Sequence, residues 1–174
     1  MTVQKILTEP DPILRKKCSP IANVDDDLRK ILKNMLETMY KAPGIGLAAI
    51  QVGILKRAVV IDVSKEDEKK NPLFLINPEI IYRSNETSTY EEGCLSLPGQ
   101  YAEIERPSKC QLKYIDFDGK AKELKAEGLL STCIQHEIDH LDGILFIDYL
   151  SKLKKTMIIK KLSKQKQSLE RIVV

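Results

Sequence analysis

The two histidines of this chain stand four residues apart with a glutamate between them, in His136-Glu137-x-x-His140. Four residues is just over one helical turn, so both imidazoles leave one face of one helix. Two neutral imidazoles on one face form a bidentate clamp for a metal ion. Glu137 then sits beside the ion without ligating it, where it can exchange protons with a water. An ordinary amphipathic helix with two surface histidines would carry the same apolar flanks, Ile134, Ile138 and Leu141. It would not require the glutamate or the spacing.

The clamp lacks a third ligand, and catalytic sites of this type usually have three plus a water. No third histidine exists, which excludes an elongated three-histidine motif. The acids after His140 are Asp142, Asp148 and Glu170, none placed as a natural partner. Upstream, the run Glu91-Glu92-Gly93-Cys94-Leu95-Ser96-Leu97-Pro98 offers a soft donor in Cys94. Gly93 lets the backbone approach something closely, and Pro98 keeps the segment out of a central strand. One Cys and two His suit Zn²⁺ or Fe²⁺. Taken alone, Cys94 would read as a small buried hydrophobe.

A third segment, Pro43-Gly44-Ile45-Gly46-Leu47-Ala48-Ala49-Ile50-Gln51-Val52-Gly53, is built of small residues that let backbones pass closely. The Gln51 amide can donate a hydrogen bond to a carbonyl oxygen. Gly44-x-Gly46 is no dinucleotide fingerprint, because the third glycine is missing and no strand leads into it. By itself the segment reads as a tight turn packed in the core.

Together the three segments resemble the peptide deformylase family. Gly44 to Gln51 looks like its first motif, Glu92-Gly93-Cys94-Leu95-Ser96 its second, and Gln135 to Gly143 its third, in the family's order and spacing. The resemblance implies a metal-dependent hydrolase that removes the N-formyl group from the initiator methionine of nascent chains, releasing formate. It implies Cys94, His136 and His140 as ligands of one divalent ion, physiologically Fe²⁺, with Zn²⁺, Ni²⁺ or Co²⁺ able to stand in. Glu137 is then the acid–base residue, and Gln51 and the backbone N–H of Leu95 are the donors to the developing oxyanion. Leu129, Thr132 and Cys133 precede His136 by seven, four and three residues and share its face. With Ile45, Gly46 and Gly93 they are expected to contact the substrate in an aliphatic pocket suited to methionine. The family often carries a larger aliphatic residue where Thr132 stands, which bears on the pocket's shape. Glu92 and Arg106 flank the Cys94 segment, and a charged pair there would hold the ligand loop.

The elements that must position these residues follow from pattern. Asp25-Asp26-Asp27 opens a helix with Leu28, Ile31, Leu32, Met35, Leu36 and Met39 on its apolar face. Strands are expected at 57–63, 73–77, 79–83 and 109–117. The last leads through Asp118-Gly119 to a partner at 120–126, and 64–71 is a charged loop. Gly128 opens the metal helix and Gly143 ends it. The sum is an α+β domain of short, mostly antiparallel strands around a central metal-binding helix, with N-terminal and C-terminal helices. The catalytic part spans 1–150, and 151–174 is a basic helix of the same domain.

The 174 residues suit one domain, and 43% hydrophobic with 30% charged residues is globular composition. Neither a signal peptide nor a membrane span is evident. The four cysteines show no paired spacing, and a ligating thiolate needs reducing surroundings, so a cytoplasmic location is expected. The net charge of +3 is uneven: 151–174 carries eight Lys or Arg against Glu170, a net +7. A helix there, anchored by Leu150, Leu153, Met157 and Ile158, would present lysines suited to ribosomal RNA rather than DNA or membrane. Two other functions use the same clamp, a metallopeptidase and a non-enzymatic zinc-stabilised domain. The latter needs a fourth protein ligand, with Cys18, Cys110 and Cys133 as candidates. Serine is a harder and weaker ligand than cysteine. Cys94→Ser is therefore expected to lower metal occupancy measured by atomic emission. Stoichiometric metal in that variant would remove Cys94 from the ligand set.

Overall fold

The first long helix, α1 (Asp26–Lys41), begins where the triple aspartate leads one to expect: the Asp25 carboxylate accepts the Leu28 N–H at 2.8 Å, and Asp26 and Asp27 occupy the positive end of the helix. The structure is a computed structural model and describes residues 2–65 and 67–172, with side chains to residue 168. Glu66 of the charged loop and the side chains of Glu170 and Arg171 lie outside the described residues.

Five strands form one antiparallel sheet in the order β1 (Gly46–Ala48), β2 (Ala58–Ile61), β3 (Leu73–Arg83), β6 (Lys109–Ile115) and β7 (Ala121–Glu127). A separate hairpin pairs β4 (Thr87–Cys94) with β5 (Leu97–Pro107). The central helix α2 (Gly128–Leu141) and the C-terminal helix α3 (Lys152–Ile172) complete the fold. The sheet separates α1 from α2, and β2 shows how. Its side chains alternate, with Ala58 and Val60 joining the α1 core of Leu28, Leu32, Met35 and Met39. Val59 and Ile61 join the α2 core of Ile134, Ile138 and Leu141. A strand covered on both faces must be apolar throughout, and Ala-Val-Val-Ile is.

Several boundaries differ from the pattern reading. The runs at 73–77 and 79–83 are one strand, β3, with an irregularity in its pairing to β6 between Ile76 and Glu79. Pro78 has no N–H to offer the ladder, and Asn77 takes φ 50° there. The Asn77 side chain accepts from Ile21 N–H and donates to Ile21 C=O, both at 2.8 Å, which ties down the chain entering α1. The turn between β6 and β7 is longer than the two-residue signal suggests. Asp116 Oδ1 accepts N–H bonds from Asp118 and Lys120, and Gly119 takes φ 85°. The β4–β5 hairpin was missed because glycines, Pro98 and consecutive glutamates read as loop. Its solvent face is polar, and its other face is covered only by distant elements, Leu97 and Ile104 packing with Leu145, Phe146, Ile147 and Leu162.

The N-terminal segment braces two of the three motifs. Leu7 N–H donates to Gln51 C=O at 2.7 Å, and Glu9 N–H to Ser96 C=O at 2.9 Å. At the far end of α2, Gly143 takes φ 76°, as a glycine terminator does. A side chain there would also strike the Arg15 carbonyl.

Helix α3 begins at Lys152, with the Ser151 hydroxyl 3.4 Å from the Lys154 N–H. The expected anchor is half right. Leu150 and Ile158 pack on the body together with Ile159, and Leu162 is 3% exposed, but Leu153 and Met157 are 71% and 62% exposed. The helix turns its 158–162 face inward, leaving those two on the outside. Leu162→Ala should cost about 2–4 kcal/mol in urea unfolding. Leu153→Ala and Met157→Ala should stay within about 0.5 kcal/mol of wild type.

Candidate metal centre

α2 carries an unusual load for a core helix. His136, Glu137 and His140 are 8%, 4% and 1% exposed, and each needs a reason to be there. The hairpin supplies it. Cys94 ends β4, and the pairing slips between Gly93, opposite Tyr101, and Cys94, opposite Leu97. That irregularity aims Cys94 at the helix. Its Sγ lies 3.2 Å from His140 Nε2, which is 3.2 Å from His136 Nε2. Three donor atoms converge within 4.8 Å of one another. Nitrogens held at about 2.1 Å by a tetrahedral ion stand roughly 3.4 Å apart, so the two imidazoles fit a shared ion. Among the described residues no fourth His, Cys, Asp or Glu joins them. Cys18, Cys110 and Cys133 are therefore corrected as candidates for a fourth ligand, and the closed, purely structural zinc site loses its support.

The charge around the trio favours a cation. Glu92 and Arg106 form the expected pair, and they do more than flank the loop. Arg106 Nε meets Glu92 Oε1 at 2.6 Å and Nη2 meets Oε2 at 3.0 Å, with both side chains almost fully buried. Glu92 Oε2 lies 2.8 Å from His136 Nδ1. A carboxylate there fixes the proton on Nδ1 and leaves the Nε2 lone pair for a metal. Burial alone would raise the Glu92 carboxyl. The hydrogen bonds from His136 and Arg106 outweigh it and hold the group below its ordinary value. Burial pulls His136 down, but Cys94, Glu92 and Glu137 around it push it well above the usual range, so positive charge is favoured at this nitrogen, from a proton or from an ion that replaces it. His140 is lowered by burial and by the charges of His136 and Arg106. Its Nδ1 is buried with no hydrogen-bond partner among the described residues.

Glu137 is raised to about 7, chiefly by burial and further by the charge of Glu92, against the pull of His136. Its Oε2 accepts no hydrogen bond from the described residues. Gly46 explains how it fits: a Cβ at that position would collide with the Glu137 carboxylate. Gln51 is held in one orientation, its Oε1 accepting the Ala48 N–H at 2.8 Å. Its Nε2 therefore turns toward Ser96 Oγ at 3.1 Å and Cys94 Sγ at 3.5 Å. Leu95 sits at the hairpin turn beside them.

Gln51, Cys94, Leu95, His136 and Glu137 line a cavity of about 420 Å³. Ile45, Gly46, Gly93, Leu129, Thr132 and Cys133 line it, with Ile45 and Leu129 each 43% exposed at its rim. Cys133 is buried, which pushes its thiol well up. Every residue expected at the site from sequence is thus placed in or directly behind one cavity. Sequence reasoning missed three partners. Ser96 accepts from Gln51 and was visible only as part of the Cys94 run. Asp139 and Tyr149 bind Arg106, at 2.8 Å and 3.4 Å. Asp139 follows His136 by three residues and reads as a surface acid, whereas Tyr149 gives no signal at all.

An α+β fold whose core helix and hairpin turn hold a Cys–His–His trio beside a buried carboxylate with one unpaired oxygen belongs to the metal-dependent hydrolases. The family profile described as polypeptide deformylase matches residues 3–156. Peptide deformylase of Pelagibacter ubique is 59% identical over 174 residues, all of both chains, and that of Rhizobium meliloti is 55% identical over 94% of each. A crystal structure of peptide deformylase from Ehrlichia chaffeensis superposes with a TM-score of 0.91 at 40% identity, covering 96% of this chain and 98% of that one. The same protein in complex with actinonin also gives 0.91, at 42% identity and covering 95% and 98%. The chain belongs to the peptide deformylase family, metal-dependent hydrolases that remove the formyl group from the N terminus of nascent peptides. Among the described residues no helix is long and apolar enough to cross a membrane.

A methyl at position 46 must displace the Glu137 carboxylate. Gly46→Ala should therefore lose on the order of 10²-fold or more in turnover of a formyl-peptide while keeping its metal. Turnover near wild type would show that Gly46 does not set the position of Glu137.

Proposed function

We propose that Cys94, His136 and His140 hold one divalent ion and that Glu137, Gln51 and Leu95 perform the hydrolysis around it. Fe²⁺ is the physiological ion in this reading, and Zn²⁺, Ni²⁺ or Co²⁺ can stand in, since a thiolate with two imidazoles accepts all of them. When bound, the ion supplies Lewis-acid activation of a water and polarises the formyl carbonyl. The observation that carries the proposal is the convergence of the three donor atoms beside the Glu137 carboxylate, one of whose oxygens is unpaired, with Cys94, His136 and Glu137 lining the cavity.

The chain's own groups then have distinct tasks. Glu137, with its carboxyl near neutrality, takes the proton released on attack and returns it to the departing amine. Gln51 Nε2 and the Leu95 N–H donate to the oxygen on which negative charge develops. Ala48 holds the other end of the Gln51 amide, so Nε2 stays on the Cys94 side, where it exchanges its long contact to Sγ for the oxyanion. Ile45, Gly46, Leu129, Thr132 and Cys133 enclose the methionine side chain, and Gly93, in the same lining, contacts the substrate. Glu92 and Arg106 keep His136 in its ligating orientation. The products are formate and a free amino terminus. Residues 1–150 carry this chemistry, and 151–174 are an attached helix of the same domain. A cytoplasmic location fits a ligating thiolate, which needs reducing surroundings.

The same reading extends to the ribosome as the source of substrate. Lys152, Lys154, Lys160, Lys161, Lys164 and Lys166 are exposed on α3 and suited to phosphate. Truncating at residue 160 would remove the buried Leu162, so charge removal is the cleaner experiment. Replacing Lys160, Lys161, Lys164 and Lys166 by Gln should leave formyl-peptide turnover intact while co-sedimentation with ribosomes at low salt drops. Unchanged co-sedimentation would refute the contact.

For the chemistry itself, Glu137→Gln should keep stoichiometric metal and lose turnover by on the order of 10²-fold or more. Formate release close to the wild-type rate from a fully loaded variant would sink the role given to Glu137.

A further inference from the structure

We propose that Tyr149 is a positioning residue for the metal centre, acting through Arg106 and Glu92 to hold His136 in its ligating orientation. The inference rests on the reading that Cys94, His136 and His140 hold the ion.

Arg106 is 3% exposed, so its charge must be neutralised and shielded by its neighbours. Glu92 takes one side of the guanidinium with both carboxylate oxygens. Asp139 Oδ2 takes Nη1 at 2.8 Å. The Tyr149 ring lies over the guanidinium, 4.7 Å from centroid to the central carbon. Its hydroxyl donates to the same Asp139 Oδ2 at 2.7 Å and accepts from Nη1 at 3.4 Å. Tyr149 is itself 52% exposed. It therefore stands between solvent and the buried Glu92–Arg106 pair and holds Asp139 in place.

The centre depends on that pair unequally. His136 Nδ1 has the Glu92 carboxylate, whereas His140 Nδ1 has no partner among the described residues. Among the described residues, only His136 of the two imidazoles has a partner at Nδ1, on the side away from the ligating nitrogen, and Glu92 keeps its place only while Arg106 grips it. Water reaching the guanidinium would compete for Glu92 and Asp139 and loosen the grip. Tyr149 also ends a four-residue turn, Phe146–Tyr149, whose first side chain stacks on His136 with ring centroids 6.2 Å apart. One short turn thus touches His136 directly through Phe146 and indirectly through Tyr149.

The test compares wild type, Tyr149→Phe and Tyr149→Leu. Ni²⁺ release into excess chelator is followed with a metallochromic indicator, and the visible spectrum of the Co²⁺-loaded protein is recorded. Loss of the hydroxyl should speed release by about 3-fold. Loss of the ring as well should speed it by about tenfold, the low end of what supporting partners of a ligand contribute. The Co²⁺ bands should shift in the Leu variant, which a purely structural role would not cause. If Tyr149→Leu does not fold, Tyr149→Phe decides, since it keeps the ring on a half-exposed site. Wild-type release from Tyr149→Phe, together with an unshifted Co²⁺ spectrum in any folded Leu variant, overturns the proposal. A wild-type chain that retains no Ni²⁺ would overturn the ligand assignment along with it, a distinguishable result.

Discussion

The hydrogen bond from His136 Nδ1 to Glu92 Oε2 is the interaction on which the rest depends. It crosses from the central helix to the hairpin and joins the buried His136 to a carboxylate that Arg106 of the same hairpin already holds. Without the carboxylate, His136 would be a buried imidazole of indefinite tautomer. Without His136 and Arg106, Glu92 would be a buried charge, and charges of that kind neutralise rather than persist. The pair orients one ligand and at the same time fixes how the hairpin docks on α2, which sets where Cys94 arrives.

Placing polar chemistry at the centre of a small domain demands close backbone approach. Gly46 carries β1 against the Glu137 carboxylate, where any side chain would intrude. Gly93 makes room for the Tyr101 ring on the neighbouring strand. Ala48 lends its N–H to Gln51 rather than leaving that amide free to flip. The small residues of the first motif therefore serve the placement of Glu137 and Gln51 more than they serve a turn. The burial that raises Glu137 is the same burial that makes these approaches obligatory.

Helix α3 shows how an element can be tied to a site without entering it. Leu162 packs with Leu97, just past the Cys94 turn, and with Phe146, which stacks on His136. Asp148, in the turn between α2 and α3, accepts the Leu145 N–H at 2.9 Å and pairs with Arg15 at 2.6 Å and with Lys155. Burial would raise its carboxyl, and the bonds from Lys155 and Leu145 and the charge of Arg15 hold it down. The helix thereby covers the back of the hairpin with one face and leaves its lysines other than Lys155, with Leu153 and Met157, exposed.

What the sequence determined by itself was whatever depends on spacing along one element. The His136–His140 interval follows from a period of 3.6, and the Asp25 cap, the Gly143 stop and the apolar run of β2 are residue types at fixed places, all of which a linear string displays directly. Cys94 as the missing ligand could be reached by elimination and by the run around it. What only tertiary structure decided were relations between elements far apart in sequence. The β4–β5 hairpin is polar on one face and covered from a distance on the other, so no local pattern announces it. The inward face of α3 is set by the distant residues it packs on, Leu97, Ile104 and Phe146, so Leu162 rather than Leu153 became its anchor. Asp139 and Tyr149 became partners of Arg106 because folding brought three separate segments around one buried charge, and a buried charge must be met from every side whatever the order of the chain.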